Sequence, residues 1–406
     1  MPEAWIIDGA RTPRGKGKAS GALHDVHPQQ LLAGVLNALA ERTGIELSDV
    51  EDVVMGNGEH AGDHANDIAR SAVLAAGWPV TVPGLTINRF CGGAQQAVMQ
   101  AATAVAAGWQ DLVVAGGVES MSRHTYGRPL DAGNDKLRAL HPLVPQGISA
   151  DLIATLEGFS RTDVDTFAVE SQDRAAVAIK EGRFDRSIVP VLDDDGSVLL
   201  DRDEMPRPGT TVERLAELPP SFERAGTKPR DPDGLSFDDN ARGVYPDAGE
   251  IQHVHHAGNS SGVVDGAAAV VVASSDYARA HGLHPRARIV GGAVLGAEPV
   301  IMLTAPGPAS LRCLEKAGMS VSDIDLWEVN EAFAAVALKV VRDLELDPER
   351  VNVNGGAIAL GHPIGATGAM LFQTVIDELE RRDLTTGLVT MCTGGGMATA
   401  TIVERI

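Results

Sequence analysis

Cysteine is scarce in this chain: Cys91, Cys313 and Cys392 are the three in 406 residues. Three thiols cannot build a disulfide framework, and their spacing fits no zinc site. Long apolar runs are missing as well. No stretch approaches the roughly 18 consecutive apolar residues that a membrane span requires. Basic residues are in deficit, 34 Lys and Arg against 55 Asp and Glu, for a net charge of −21. Such a surface repels nucleic acid and anionic lipid, so neither is an expected main partner. A polyanionic small molecule would need a local basic patch set against that field. The opening residues, Met1-Pro2-Glu3-Ala4-Trp5-Ile6-Ile7, enter a strand-like stretch with no basic start or cleavage site, which predicts a cytoplasmic location.

What is present reads as a globular protein. Hydrophobic residues make up 44% and charged residues 22%, and the length predicts two or three packed units. Helical and strand-like patterns alternate at both ends, which predicts an α/β class. Glycine-bounded apolar runs cover 111–117 and 387–392, and helices are expected over 29–41, 92–107, 309–316 and 367–381. The two ends resemble each other. Gly44-Ile45-Glu46-Leu47-Ser48-Asp49-Val50 lies 274 positions before Gly318-Met319-Ser320-Val321-Ser322-Asp323-Ile324. Leu112-Val113 matches Leu388-Val389 at an offset of 276. A nearly constant offset points to a duplicated α/β unit. Between the halves, from about 123 to 257, the chain is rich in proline, charge and turns. One amphipathic helix, about 161–181, interrupts it, and the whole stretch reads as a functional insertion.

Four places carry candidate chemistry. Cys91 lies where an expected strand, 85–90, meets a helix of small residues. A helix N-terminus favours a thiolate, although a small core residue is an equally open reading. His362 sits in a glycine-rich loop, Asn354-Gly355-Gly356 to Gly361-His362-Pro363, where backbone can approach closely. A reactive cysteine needs such a base. Cys392 faces Gly394-Gly395-Gly396, whose N–H groups suit an oxyanion pocket. Asn330 alone reads best as a helix N-cap. Other motifs fail. Gly258-Asn259-Ser260-Ser261-Gly262 has the spacing of a hydrolase elbow, but polar His253-Val254-His255-His256 precedes it where a strand is needed. His60 and His64 have helical metal spacing without a third ligand, and are expected to be solvated loop residues.

Together these residues resemble the thiolase family. Arg89-Phe90-Cys91, Gly258-Asn259-Ser260-Ser261-Gly262 with Asp265-Gly266-Ala267-Ala268, Asn330-Glu331-Ala332-Phe333, Gly361-His362-Pro363 and Cys392-Thr393-Gly394 match it in order and spacing. Val144-Pro145-Gln146 and Ala150-Asp151-Leu152 look most like thiolase subunits of bacterial fatty-acid β-oxidation complexes. The resemblance implies two duplicated α/β halves, 1–122 with 265–291 and 292–406, whose central sheets are sandwiched by helices, around an inserted CoA-binding loop domain, 123–264. It implies acyl transfer between 3-ketoacyl-CoA and CoA, with CoA a substrate and no cofactor or metal. Cys91 would be the nucleophile, His362 its activator and Cys392 the second acid/base. Asn330 and His362 would stabilise an enolate, the N–H groups of Cys91 and Gly394 an acyl oxygen, and Ser261 would touch pantetheine. The implied assembly is a homodimer or dimer of dimers, with a hydratase/dehydrogenase subunit as partner in such a complex.

The chain departs from the family pattern at Gly93-Ala94, usually serine-glycine, and at Ala398, usually glycine. Pro145-Gln146 replaces the His-Met of short-chain members, which predicts better turnover of medium or long chains than of acetoacetyl-CoA. The alternatives are a short-chain acetyl-CoA acetyltransferase, a decarboxylating ketoacyl synthase and a non-catalytic acyl-CoA or lipid carrier. A ketoacyl synthase has no need of the acid/base thiol at Cys392.

Overall fold

Short apolar runs bounded by glycine become strands buried along their whole length. The computed structural model describes residues 2–125, 131–230 and 234–406. Its strands are β1 (Ala4–Arg11), β2 (Gly15–Lys16), β3 (Asp52–Gly56), β4 (Leu85–Ile87), β5 (Leu112–Ser120), β6 (Val191–Leu192), β7 (Val198–Leu200), β8 (Val264–Ser274), β9 (Ala287–Gly296), β10 (Leu326–Val329), β11 (Thr386–Thr393) and β12 (Met397–Arg405). Ten of them form one sheet: nine follow the hydrogen-bonded path β4-β3-β5-β8-β1-β9-β12-β11-β10, and β2 pairs with β8. β6 and β7 form a separate hairpin.

The path reads alike in both directions from its centre, where Trp5 and Ile6 of β1 pair with Arg288 and Ala287 of β9. In each half the outer strands run parallel, β3 with β5 and β10 with β11, and the inner ones antiparallel. The helices Pro28–Thr43 and Pro306–Ala317 both end on a left-handed glycine, Gly44 at φ 65° and Gly318 at φ 68°. Only glycine adopts that conformation at little cost. The duplication read from the sequence is therefore a structural one. The expected central sheets are joined edge to edge through β1 and β9.

Two helices, Gly93–Ala106 and Thr367–Arg382, occupy the layer between the halves. Val98, Val105, Phe372 and Val375 share one buried cluster with Val113, Val272 and Val389, drawn from both halves. Gly368 lets the helices touch, since a Cβ there would collide with the backbone of Gln95. Each helix also reaches across. Gln95 Nε2 donates to Val389 O (2.8 Å) and Thr401 Oγ1 (3.0 Å), while Gln373 Nε2 donates to Ala10 O (2.9 Å). Truncating either would strand buried carbonyls, at roughly 1–3 kcal/mol. Outside, Leu31, Leu32, Leu36 and Leu39 cover the first half, and Ala309 and Leu314 pack on Trp327 and Leu388 of the second.

The insertion between β5 and β8 holds more helix than its sequence suggests. Besides Arg161–Lys180 there are Gln146–Glu157 and Phe237–Val244, with shorter pieces at Asp135–Leu140, Val212–Ala216 and Glu223–Thr227. Gln146–Glu157 is buried over most of its circumference, so it shows no amphipathic period. Buried Asp203 lashes this insertion to β1, accepting from Arg11 at 2.8 and 3.0 Å and from the Arg14 backbone at 2.8 Å.

Candidate active site

β4 stops at Ile87, shorter than the strand expected over 85–90, because the chain tightens into a turn. Asn88 Oδ1 accepts from Phe90 N–H (2.8 Å), and Phe90 adopts φ 47°, a left-handed conformation that is uncommon outside glycine. Such strain persists where surrounding structure imposes it, often at functional sites. The turn Phe90–Gly92 presents Cys91, and the helix Gly93–Ala106 follows. Burial works against the thiolate that a helix end favours. Burial pushes the Cys91 thiol up to about 12, and the opposing N–H groups of Gly394 and Cys91 itself recover only part of that shift.

His362 lines the same cavity as that thiol. The Thr367 hydroxyl donates its hydrogen to Pro363 O (3.0 Å), so it accepts from His362 Nδ1–H at 2.6 Å. This fixes the tautomer, leaving Nε2 as a bare acceptor that is buried and unpartnered among the described residues. Burial lowers the His362 imidazole to about 4, so it is neutral and able to take a proton at ordinary pH.

Cys392 ends β11, and burial, then the neighbouring Cys91, pushes its thiol far up. Asn330 is no helix cap. Phe333 stands at the cap of Ala334–Asp343, three residues on, and both amide atoms of buried Asn330 lack a partner among the described residues. Ser261 lies on a strap pinned at two sides: its N–H donates to Ala332 O (2.9 Å), and Gly262 O accepts from His362 N–H (2.9 Å). Cys91, Cys392, His362 and Ser261 line one cavity of about 500 Å³. Lys16, Lys18 and Arg207 line it too, the local basic patch that an acidic protein needs for a polyanion. Gly394 and Asn330 are not part of that lining, but the Gly394 N–H reaches the Cys91 sulfur.

Thr367 and Phe222 escaped sequence reasoning, and Ser260 entered it only as part of a motif, with no role of its own. Thr367 opens a helix and looked like an ordinary small residue. Ser260 Oγ is buried without a partner on the cavity wall, and Gln146 and Phe222 also line it. The departures from the family pattern are accommodated. Ala94 packs among Ala268, Ala366 and Ala369, and Ala398 pairs with Cys392 across β11 and β12.

His64 is not solvated, as expected from its loop, but wholly buried, with its Nε2 accepting from Ser120 N–H (2.9 Å). It clusters with Glu59 and His124 at metal-like distances. That bond obliges Nδ1 to carry hydrogen, so His64 offers the cluster no lone pair. These residues do not form a metal site.

Two family models cover most of the chain: "Thiolase, N-terminal domain" over residues 4–229 and "Thiolase, C-terminal domain" over 283–405. The chain belongs to the thiolase family. It is 42% identical over 430 residues to the 3-oxoadipyl-CoA/3-oxo-5,6-dehydrosuberyl-CoA thiolase of Escherichia coli, with all of both chains covered. It is 39% identical to the steroid 3-ketoacyl-CoA thiolase of Mycobacterium tuberculosis, across 100% of this chain and 95% of that one. The crystal structure of the Bacillus anthracis acetyl-CoA acetyltransferase superposes with a TM-score of 0.82 at 38% identity, covering 100% of this chain and 99% of the other. The chain is thus an acyltransferase acting on acyl-CoA and CoA, with the thiolase fold. Among its described residues no helix is long and apolar enough to cross a membrane.

Proposed function

We propose that Cys91, His362 and Cys392 divide thiolytic cleavage of 3-ketoacyl-CoA between them. The observation that carries this is their meeting on one cavity, with His362 Nε2 held as a bare acceptor. The Cys91 sulfur attacks the 3-keto carbon as its proton passes to His362 Nε2. The C2–C3 bond breaks, leaving the enolate of acetyl-CoA beside His362 and the unpartnered amide of Asn330, which acts through a water. Cys392 protonates C2, then takes the thiol proton of incoming CoA. The CoA sulfur displaces the acyl group from Cys91, whose carbonyl oxygen is held by the N–H groups of Cys91 and Gly394. His362 returns its proton to Cys91. The reverse sequence is a Claisen condensation, and neither direction calls on a cofactor or metal. Ser261 contacts the pantetheine arm, and the Lys16, Lys18 and Arg207 side chains face the phosphates.

Gln146 on the cavity wall supports a preference for medium- or long-chain substrates, as in fatty-acid β-oxidation. Strand β4 leaves an outer sheet edge, which favours pairing with a second copy. Three unpaired cysteines suit the cytoplasm. The division into halves 1–122 with 265–291 and 292–406, around a loop domain 123–264, belongs to the same reading. The deciding experiment supplies CoA with acetoacetyl-CoA and, separately, a longer 3-ketoacyl-CoA. Release of acetyl-CoA from both, with higher kcat/KM for the longer chain, is expected. No cleavage of either overturns the function; a preference for acetoacetyl-CoA overturns the chain-length reading alone.

A further inference from the structure

The C-terminal end of β5 carries a carboxylate, Glu119, that the mechanism above leaves unused. Glu119 is fully buried, yet its two oxygens meet groups from three separate segments. Oε2 accepts from Gly58 N–H at 2.7 Å and from Gly365 N–H at 2.9 Å. Oε1 lies 2.7 Å from His124 Nε2 and 3.5 Å from Asn57 Nδ2. Gly365 is three residues beyond His362, on the same loop. The approach is built to be close. A Cβ on Gly58 or Gly365 would press on Oε2 at 2.9 or 2.8 Å, and a Cβ on Gly117 would collide with the carbonyl of Gly365. So β5, the loop after β3 and the His362 loop meet at backbone contact, with one carboxylate at the centre.

We propose that Glu119 is a positioning residue for the reaction: it fixes the His362 loop against β5 and the loop after β3 and holds negative charge beside the imidazole. This rests on the proposed role of His362. Within the site, Thr367 sets which nitrogen of His362 is bare, and Glu119 sets where that nitrogen stands. Its charge has a second effect. When His362 takes the Cys91 proton it becomes a buried cation, and Glu119 favours that state while Arg14 opposes it. Glu119 also disfavours a thiolate at Cys91, as the smallest of the influences there. The other ionisable groups around this carboxylate are His124, with Glu59 3.6 Å from its Nε2, and His64, which accepts from the neighbouring Ser120 N–H. A neutral amide at 119 has a single acceptor oxygen. That oxygen can still accept from Gly58 and Gly365, but the amide NH2 then faces the Nε2–H that His124 gives the carboxylate, and the charge is removed.

The test compares full-length wild type, Glu119→Gln and Glu119→Asp. Three quantities are read: kcat for 3-ketoacyl-CoA cleavage, the per-site rate of Cys91 alkylation by iodoacetamide against pH, and the thermal unfolding midpoint. Glu119→Gln should lower kcat roughly 10- to 100-fold, the scale of a misplaced catalytic group. Its alkylation curve should move to higher pH, because the imidazolium that accompanies the thiolate is less well supported. Glu119→Asp keeps the charge but is too short to bridge both glycines. It should retain the wild-type alkylation pH profile while kcat stays low. Wild-type kcat in either variant overturns the proposal. So does a Glu119→Gln chain whose only change is fewer alkylatable sites, each reacting at the wild-type rate and pH, since that is plain misfolding. Alkylation needs no substrate. A wild type that alkylates but never cleaves ketoacyl-CoA therefore fails the functional reading and leaves the positioning role standing.

Discussion

Histidine appears in two opposite settings in this molecule. In the insertion between β5 and β8, His253, His255 and His256 precede the Ser261 strap, and every ring nitrogen has a partner. His253 bridges Asp151 (2.8 Å) and Asp238 (3.0 Å). His255 bonds Asp151 at 2.7 Å and accepts from Ala335 N–H, while His256 bonds Asp165 at 2.8 Å and accepts from Gly258 N–H. At the cavity, by contrast, His362 Nε2, both amide atoms of Asn330 and Ser260 Oγ are buried with no partner among the described residues. Buried polar groups are normally satisfied, because leaving one bare costs about 1–3 kcal/mol. The saturated network is architecture. The bare atoms are where the proposed mechanism places substrate and a water.

The largest effects should come from the two thiols, and they should fail differently. Cys91→Ala should abolish both turnover and covalent acylation by acyl-CoA, followed by intact mass. Cys392→Ala should still acylate, because thioester exchange onto Cys91 needs no enolate. It should lose proton exchange at C2 of acetyl-CoA and ketoacyl cleavage, by ~10²–10⁴-fold. Mild effects on both would make Cys392 structural and revive the ketoacyl synthase reading. In mass mapping of the wild type, Cys91 should be alkylated before Cys313, and acyl-CoA should protect it.

Asn330→Ala sharpens the comparison from the unsatisfied side. Cleavage should slow by roughly 10²-fold, the scale of a lost oxyanion donor. Chemical unfolding should show stability unchanged or slightly raised, since two desolvated atoms without partners are removed. A large stability loss with intact kcat would place Asn330 in the architecture instead.

The converse is expected of Asp151→Asn. It breaks a buried carboxylate from two histidines and from the N–H groups of Val254 and His255, so roughly 3–5 kcal/mol of stability should go. Alkylation of Cys91 per folded molecule should stay within a few-fold of wild type. A selective loss of activity at unchanged stability would break the distinction between the two settings.

Acid should separate the histidines by sign. His362 has its imidazole lowered by burial to about 4, so its contribution is present above the ordinary value of 6.5 and lost as pH falls from there through 4. That amounts to at most roughly 3 kcal/mol. For His253 burial works downward, but its Asp151 and Asp238 partners prevail and raise it. Its contribution is full below 6.5 and is lost as pH rises through the raised value. Urea unfolding at pH 7 and pH 4.5 should therefore show a smaller acid loss in His362→Gln than in wild type. An identical acid loss would mean that His362 is not held neutral by burial.

The sequence by itself determined the class and the repeat. Apolar runs bounded by glycine, helix ends at Gly44 and Gly318 and a nearly constant offset are local patterns, and local patterns survive reading along the chain. It also marked Cys91, His362 and Cys392, because each stands in a glycine-rich setting that a core residue does not need. It did not reveal that Asn330 is uncapped and bare, since a cap and an orphaned amide look alike until the helix start is known. It misplaced His64 in solvent, and it gave no sign that burial opposes a thiolate at Cys91. Burial decided both, and burial is a property of what packs around a residue from distant parts of the chain. The tautomer of His362 likewise waited on Thr367 and Pro363 meeting in space. Charge state and proton position are set by desolvation and by partners, and only the tertiary structure supplies those.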